Sequence, residues 1–189
     1  MFRFILASSS PRRKELLSLL NIKFKVIPAN IDEDPLPKEK PLQNVKRLAK
    51  EKSLAIAKNN PNCIVIGADT IVTYRNFIFS KPSSKKEAKF MLKTLSGKTH
   101  RVVSCYSINL LNKKISINRK STAKVTFRKI SNKEIDDYIN TGDPLDKAGS
   151  YSFQGGGTKF VESVSGSTNA IIGLDIVMLL YDLKKFKLI

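Results

Sequence analysis

The sequence predicts an α/β fold of mixed α+β character, and three observations carry that prediction. Short apolar or alternating stretches that suit strands lie between segments whose apolar residues recur at three- and four-residue spacing. Ser, Pro, Gly and Asn mark the transitions, so strand and helix patterns follow one another along the chain. The length of 189 residues suits one ordinary domain or two small lobes around one cleft, and 41% hydrophobic residues suffice for a core, which argues against wholesale disorder.

In chain order, residues 2–7 read as a first strand ended by Ser8, Ser9 and Ser10. Residues 11–20 follow as a helix with Leu16, Leu17 and Leu20 on one side. Ile22, Phe24 and Val26 alternate with Lys23 and Lys25, the pattern of a half-buried strand. Residues 31–40 are acidic and proline-bearing, hence a loop. A long helix spans residues 41–58, with apolar residues at 45, 48, 49, 55 and 56. Residues 63–74 form a strand dense enough in apolar side chains for a central, buried position. Asn76 marks a turn into 77–79. Ser84 and Glu87 have capping-box spacing, and Ala88, Met91, Leu92 and Leu95 line a helical face that stops at Gly97. Residues 100–111 and 122–128 read as strands of a hairpin or meander. Ser131 and Glu134 cap another helix, with Ile135, Tyr138 and Ile139 inward and Gly142 at its end. A Gly-rich loop covers 142–157, short strands follow, and a last helix runs from about Asp175 to Lys184.

Composition excludes several functions. No unbroken apolar run approaches the length of a membrane span. The apolar stretch after Arg3 is too short for a signal-peptide core, so a cytoplasmic protein is expected. Cys63 and Cys105 are too few for a disulfide framework or a zinc site and read as buried structural thiols. One histidine, His100, argues against His-based metal centres and Ser-His-Asp triads.

The net charge of +18 suggests an anionic partner, and its layout is uneven: +7 over residues 1–60, +13 over 61–130 and −2 over 131–189. Lysines outnumber arginines 26 to 8 and there is no Trp, which offers little for stacking on bases. A non-catalytic, basic nucleic-acid-binding or regulatory protein is thus a secondary reading. Most of the charge reads as solvated surface.

Four places resist local rules. Ser10 is a good N-cap and Pro11 a natural first helical residue, yet Arg12 and Arg13 occupy the first turn, where the helix dipole disfavours cations by about 0.3–1 kcal/mol each. An anion at this helix end would make sense of them; two solvated arginines are the plain alternative. On a wheel of about 100° per residue, Lys52 falls near the middle of the stripe formed by Val45, Leu48, Ala49, Ala55 and Ile56. It needs a partner or a cavity there, unless it snorkels. Asp69 interrupts the apolar run Cys63–Val72, with Gly67 and Ala68 leaving room for something to approach. It is a candidate general base or metal ligand, or a carboxylate satisfied by backbone donors. Lastly, 142–157 is long for a connection in a compact domain. Its Gly155-Gly156-Gly157-Thr158-Lys159 lacks P-loop spacing and precedes a strand pattern, so a Walker site is rejected.

At these same residues the chain resembles the Maf family of nucleotide pyrophosphatases, nearly end to end. Residues 5–17, Ile-Leu-Ala-Ser-Ser-Ser-Pro-Arg-Arg-Lys-Glu-Leu-Leu, look like its N-terminal signature, and Ile66-Gly67-Ala68-Asp69-Thr70-Ile71-Val72 its central motif. Lys81-Pro82, Met91-Leu92, Leu95-Ser96-Gly97 with His100, Asp143-Pro144-Leu145-Asp146-Lys147-Ala148-Gly149, Gln154-Gly155 and Gly173-Leu174 follow in order. The resemblance implies one Maf-like domain over residues 1–189. Its two lobes would sit on an elongated mixed sheet with a central cleft, as in the inosine-triphosphatase (Ham1) group. It also implies a nucleoside triphosphate substrate, a divalent cation (Mg²⁺ or Mn²⁺) and a homodimer, with neither membrane nor nucleic acid as partner.

By the same resemblance Asp69 is the catalytic proton acceptor, with Lys52 and Lys81 beside it in catalysis. Arg12 and Arg13, with Ser8 and Ser10, bind phosphate, and Glu33 and Asp69 bind the metal. Arg12, Thr70 and Gln154 match the branch that resembles dTTP/UTP pyrophosphatases, where a 7-methyl-GTP branch has Trp, Gln and Glu; that branch, or a broad non-canonical nucleotide pyrophosphatase, is the alternative. Ser152-Phe153 before Gln154, Asp175 after Leu174 and Ser53 after Lys52 depart from the family pattern.

Overall fold

The computed structural model describes residues 3–75 and 77–189. Met1, Phe2 and Asn76 lie outside the described residues, and with them the expected strand start at Phe2 and the expected turn at Asn76. The chain runs β1 (Arg3–Leu6), α1 (Pro11–Ser18), β2 (Phe24–Val26), α2 (Pro41–Ala57), β3 (Cys63–Tyr74), β4 (Phe77–Phe79), α3 (Lys85–Leu95), β5 (Thr99–Leu110), β6 (Ile115–Phe127), α4 (Asn132–Asn140), β7 (Val161–Gly166), α5 (Thr168–Ile172) and α6 (Ile176–Lys185). The strands form a mixed sheet in the order β2-β1-β3-β5-β6-β7, with β4 paired to β3. β1 is parallel to both β2 and β3, while β4 on β3 and β7 on β6 are antiparallel. The mixed α/β class is therefore the one the sequence pattern predicts.

The chain divides into two compact units. The first comprises residues up to Asp69, Ser104–Ser121 and Gly173–Ile189; the second comprises Thr70–Val103 and Thr122–Ile172. In the first, Phe4, Ile5 and Leu6 of β1 and Ile64, Val65 and Ile66 of β3 are buried on both faces, as expected of parallel strands under helical cover. α2 begins where Pro41 supplies a preset φ and the Gln43 side chain accepts from the Lys40 amide at 3.0 Å. It buries Val45, Leu48, Ala49, Lys52, Ser53 and Ala57. α6 is capped by Asp175, whose carboxylate accepts from the Met178 amide at 3.2 Å and from Ser121 Oγ at 2.5 Å.

Two polar clusters lie inside this unit. Asp182 of α6, fully buried, accepts from Tyr106 Oη at 2.9 Å and from Arg119 at 2.8 and 3.1 Å. Asn109 of β5 donates to Ser53 Oγ of α2 at 2.6 Å and to Ser107 Oγ at 3.1 Å. Ser53, the departure noted after Lys52, thereby ties α2 to β5.

In the second unit α3 and α4 pack Ala88, Met91, Leu92, Leu95, Ile135, Tyr138 and Ile139 into a core with Val125, Phe127, Tyr151 and Phe160. α4 has a full capping box: Ser131 Oγ accepts from the Glu134 amide at 3.3 Å, and Glu134 accepts from the Ser131 amide at 2.9 Å. α3 has half of one, because Glu87 turns to Ser83 instead of Ser84. His100 is buried with Nε2 2.9 Å from Tyr151 Oη, its ring edge-on to Phe127 and Tyr151. Burial lowers its pKa to about 4, outweighing a hydrogen bond with the Lys98 backbone that acts the other way.

The structure corrects some element readings. β2 is only three residues long and more exposed than a half-buried strand, with Val26 39% exposed; it is an edge strand paired on one side to β1. β6 starts at Ile115, seven residues before the expected 122. Its first half is rich in Asn, Arg, Lys and Ser, poor strand formers that pairing with β5 holds extended. The short helix α5 stands where only strands were expected. Cys105 is buried but Cys63 is only partly so.

Candidate active site

Lys52 and Asp69 meet because α2 lies unusually close to β3. A Cβ on Gly67 would stand 2.5 Å from the Ala49 carbonyl oxygen and 2.6 Å from the Ser53 amide nitrogen, so only glycine admits the helix backbone here. The space the sequence left open beside Asp69 is filled by this helix. One turn on from Ala49, Lys52 projects over the strand, and its Nζ lies 2.8 Å from Asp69 Oδ1. Lys52 is 6% and Asp69 8% exposed, so this is a buried ion pair, the partner that a lysine in mid-stripe requires. Ser104 Oγ of β5 donates to the Asp69 carbonyl at 3.3 Å and holds the strand on its other edge.

Glu33 reaches the same ammonium from the 31–40 loop, its Oε1 2.9 Å from Lys52 Nζ, and its side chain is half exposed. The loop is anchored by Arg47 of α2, which donates to Glu39 at 2.8 and 2.9 Å and to the Asp34 carbonyl at 3.0 Å. The Arg47 hydrogen bond pulls the Glu39 carboxyl down to about 2, so this anchor stays ionised at any ordinary pH. Three acceptors on one guanidinium fork turn a proline-bearing loop into a defined support for Glu33.

Arg13 comes from the N-terminus of α1. Its own amide is 3.5 Å from Ser10 Oγ, the helix cap. Its guanidinium donates Nη1 to Ser8 Oγ at 3.2 Å and Nε to the Gly173 carbonyl at 3.0 Å. Burial lowers its pKa, opposed by the charges of Asp69 and Glu33 and reinforced by neighbouring Arg12. Ser8 also accepts from the Ser10 amide at 3.2 Å. Ser8, Ser10, Arg12, Arg13, Glu33, Lys52 and Asp69 thus belong to one unit. In it the Lys52 ammonium contacts both carboxylates, Asp69 and Glu33, and the Arg13 guanidinium lies near enough to feel their charge. The Gly173 carbonyl was not singled out as a site group from sequence; the Gly173-Leu174 motif was its one signal. Cys105 also lies near, and burial with the Asp69 charge pushes its thiol up to about 11, which makes it a poor nucleophile.

Among the described residues no three His, Cys, Asp or Glu side chains converge on a metal position. Two carboxylates, Glu33 and Asp69, do converge on one ammonium. Hard oxygen donors of that number fit Mg²⁺ or Mn²⁺ when substrate phosphates supply other ligands.

Thr70, Lys81 and Gln154 belong to the second unit. Thr70 continues β3 immediately after Asp69 and is partly buried. Lys81 is exposed, next to buried Pro82. Gln154 is exposed in the turn 153–157, which Thr158 Oγ1 braces by donating to the Phe153 and Gly155 carbonyls. Phe153 is partly buried, and the Ser152 amide donates to Tyr138 Oη at 3.0 Å.

No helix among the described residues is long and apolar enough to cross a membrane. A protein of Bacillus cereus (strain G9842) named dTTP/UTP pyrophosphatase is 44% identical over 186 residues, 98% of this chain and 96% of that one. A protein of the same name from Bacillus cytotoxicus is 45% identical over 186 residues, with the same coverage. Among solved structures, the Ham1 protein of Staphylococcus aureus superposes with a TM-score of 0.46 at 16% identity over 66% of this chain and 71% of that one. The family model described as Maf-like protein matches residues 3–186, and the chain belongs to that family.

Proposed function

We propose that the chain is a nucleoside triphosphate pyrophosphatase that hydrolyses the α–β phosphoanhydride of dTTP and UTP to the monophosphate and pyrophosphate. The observation that carries the reading is the buried Lys52–Asp69 pair, joined by Glu33 and flanked by Arg13, in a chain 44% identical to a protein named for that activity.

Arg12, Arg13 and Lys52 neutralise phosphate oxygens, with the Ser8 and Ser10 hydroxyls and the α1 N-terminus adding donors. Asp69 accepts the proton of the attacking water. Glu33 and Asp69 would hold the divalent cation, which when bound clamps phosphate oxygens and lowers the pKa of its water. The family resemblance assigns Lys81 to the phosphates and Thr70 and Gln154 to the base. The Gln154 amide offers both a donor and an acceptor, which suits the imide edge of uracil or thymine. A cytoplasmic homodimer belongs to the same proposal.

The test is pyrophosphate release from a panel of dTTP, UTP, 7-methyl-GTP and ITP with Mg²⁺ or Mn²⁺. The expected result is turnover of dTTP and UTP ahead of the others, reduced by about 10²–10⁴ in Asp69→Asn with an unchanged circular dichroism spectrum. An active Asp69→Asn protein would sink the mechanism. A panel with no nucleotide cleaved would sink the function.

A further inference from the structure

The two carboxylates that suit a divalent cation share one ammonium. Lys52 Nζ is 2.8 Å from Asp69 Oδ1 and 2.9 Å from Glu33 Oε1, both full hydrogen-bonding distances. The lysine is not a surface group that drifts into place: it is 6% exposed, and its helix is pressed onto β3 at Gly67. A buried ammonium between two carboxylates balances charge that would otherwise repel across the site. The same two carboxylates are the hard oxygen donors a divalent cation would draw on, so the two cations would compete for them.

We propose that Lys52 is the resident cation of the Glu33–Asp69 pair, so that its ammonium and a divalent cation are alternative occupants of one two-carboxylate seat. This inference rests on the reading of the site given above and adds an exchange to it. In the substrate-free protein Lys52 keeps Glu33 and Asp69 drawn together. With a divalent cation held there, the Lys52 ammonium would be freed from both carboxylates and available to a phosphate oxygen. Arg13, which already has Ser8 and the Gly173 carbonyl as acceptors, does not take part in the exchange. An incoming phosphate offers the freed lysine a new partner, so phosphate and metal help each other to bind, and the coupling is reciprocal.

The test uses the full chain without nucleotide and Mn²⁺ as probe. Mn²⁺ affinity is measured by calorimetry or electron paramagnetic resonance in the wild type, Lys52→Met and Lys52→Arg. Loss of the competing ammonium in Lys52→Met is expected to tighten Mn²⁺ binding by about tenfold or more, whereas Lys52→Arg stays within a few-fold of wild type. A folded Lys52→Met protein that binds Mn²⁺ no more tightly than wild type would overturn the proposal. A second measurement needs no variant: reductive methylation followed by peptide mass spectrometry. Lys52 is expected to be protected in the metal-free protein and labelled when Mn²⁺ is saturating. Equal labelling in both states would overturn the exchange. Absence of Mn²⁺ binding in every protein removes the seat, and the nucleotide panel still decides the function. Tight Mn²⁺ binding with no nucleotide cleaved keeps the seat and removes the function.

Discussion

Gly67→Ala tests how the site is built with a single methyl group. Its Cβ would stand 2.5 Å from the Ala49 carbonyl oxygen, 2.6 Å from the Ser53 amide nitrogen and 3.0 Å from Ser53 Cβ. The first two atoms are helix backbone, so no side chain can rotate away, and α2 must retreat by about 1 Å to restore ordinary contact. Overpacking of this kind costs about 1–3 kcal/mol, and the stiffer unfolded chain returns about 0.4–1 kcal/mol. A net loss of about 1–2 kcal/mol, with a urea slope of about 2 kcal/mol per molar, lowers the unfolding midpoint by roughly 0.5–1 M. The retreat also carries Lys52 away from Asp69, so pyrophosphate release should fall by more than the lost stability explains at temperatures where the variant is fully folded. Gly142→Ala is the control: φ is +80° but nothing lies within 4 Å, so backbone strain alone acts there, about 1–2 kcal/mol. A Gly67→Ala protein with an unchanged midpoint and wild-type turnover would refute the close approach of α2 to β3 as the device that sets the Lys52–Asp69 pair.

Two further outcomes follow from buried titratable groups. His100 has a folded-state pKa of about 4 against an ordinary 6.5, so the unfolded chain takes up a proton first as pH falls. Its stabilising contribution is therefore complete above about pH 6.5 and is lost progressively down to pH 4, in all by roughly 3 kcal/mol. Urea midpoints of wild type and His100→Gln at pH 7.5 and 5 should show the acid sensitivity flattened in the variant, and an equal drop in both would refute the assignment. Asp182→Ala, which strips Tyr106 and Arg119 of their shared acceptor, should cost about 1.5–3 kcal/mol, because Arg119 is exposed enough to be solvated, whereas Tyr106→Phe should cost about 1 kcal/mol. An Asp182→Ala loss below that of Tyr106→Phe would show that the network is not held by its carboxylate.

Much of this was legible in the chain because the relevant residues break local rules. Lys52 in the centre of an apolar helical stripe and Asp69 in an apolar strand were each anomalous alone, and the structure supplies one explanation for both. What periodicity could not give was the pairing itself, since residues 17 apart meet only after α2 folds back onto β3. Arg13 was flagged by its place in the first turn of α1, but its acceptor at Gly173 is 160 residues away, and no local pattern encodes such a contact. The extent of β6 was missed for the opposite reason. Its first residues read locally as loop, and a neighbouring strand overrides that preference. Glu33 lies in a stretch whose composition shows only a loop, and the family resemblance alone marks it. Its support by Arg47 depends on geometry between that loop and α2 that composition does not reveal.

The make-up of the first unit has a consequence for the order of events during synthesis. Its pieces are drawn from the beginning, the middle and the end of the chain, while the second unit is complete at Ile172. Domains fold as their residues emerge from the ribosome, at about 5–20 residues per second. The second unit can therefore close first, while Ser8, Arg13, Lys52 and Asp69 wait. The Gly173 carbonyl that receives Arg13, and the Asp182 that gathers Tyr106 and Arg119, arrive last. The cationic site is assembled only once the segment from Gly173 has emerged, and a chain cut short before Gly173 would present its arginines and lysine with no completed unit to hold them.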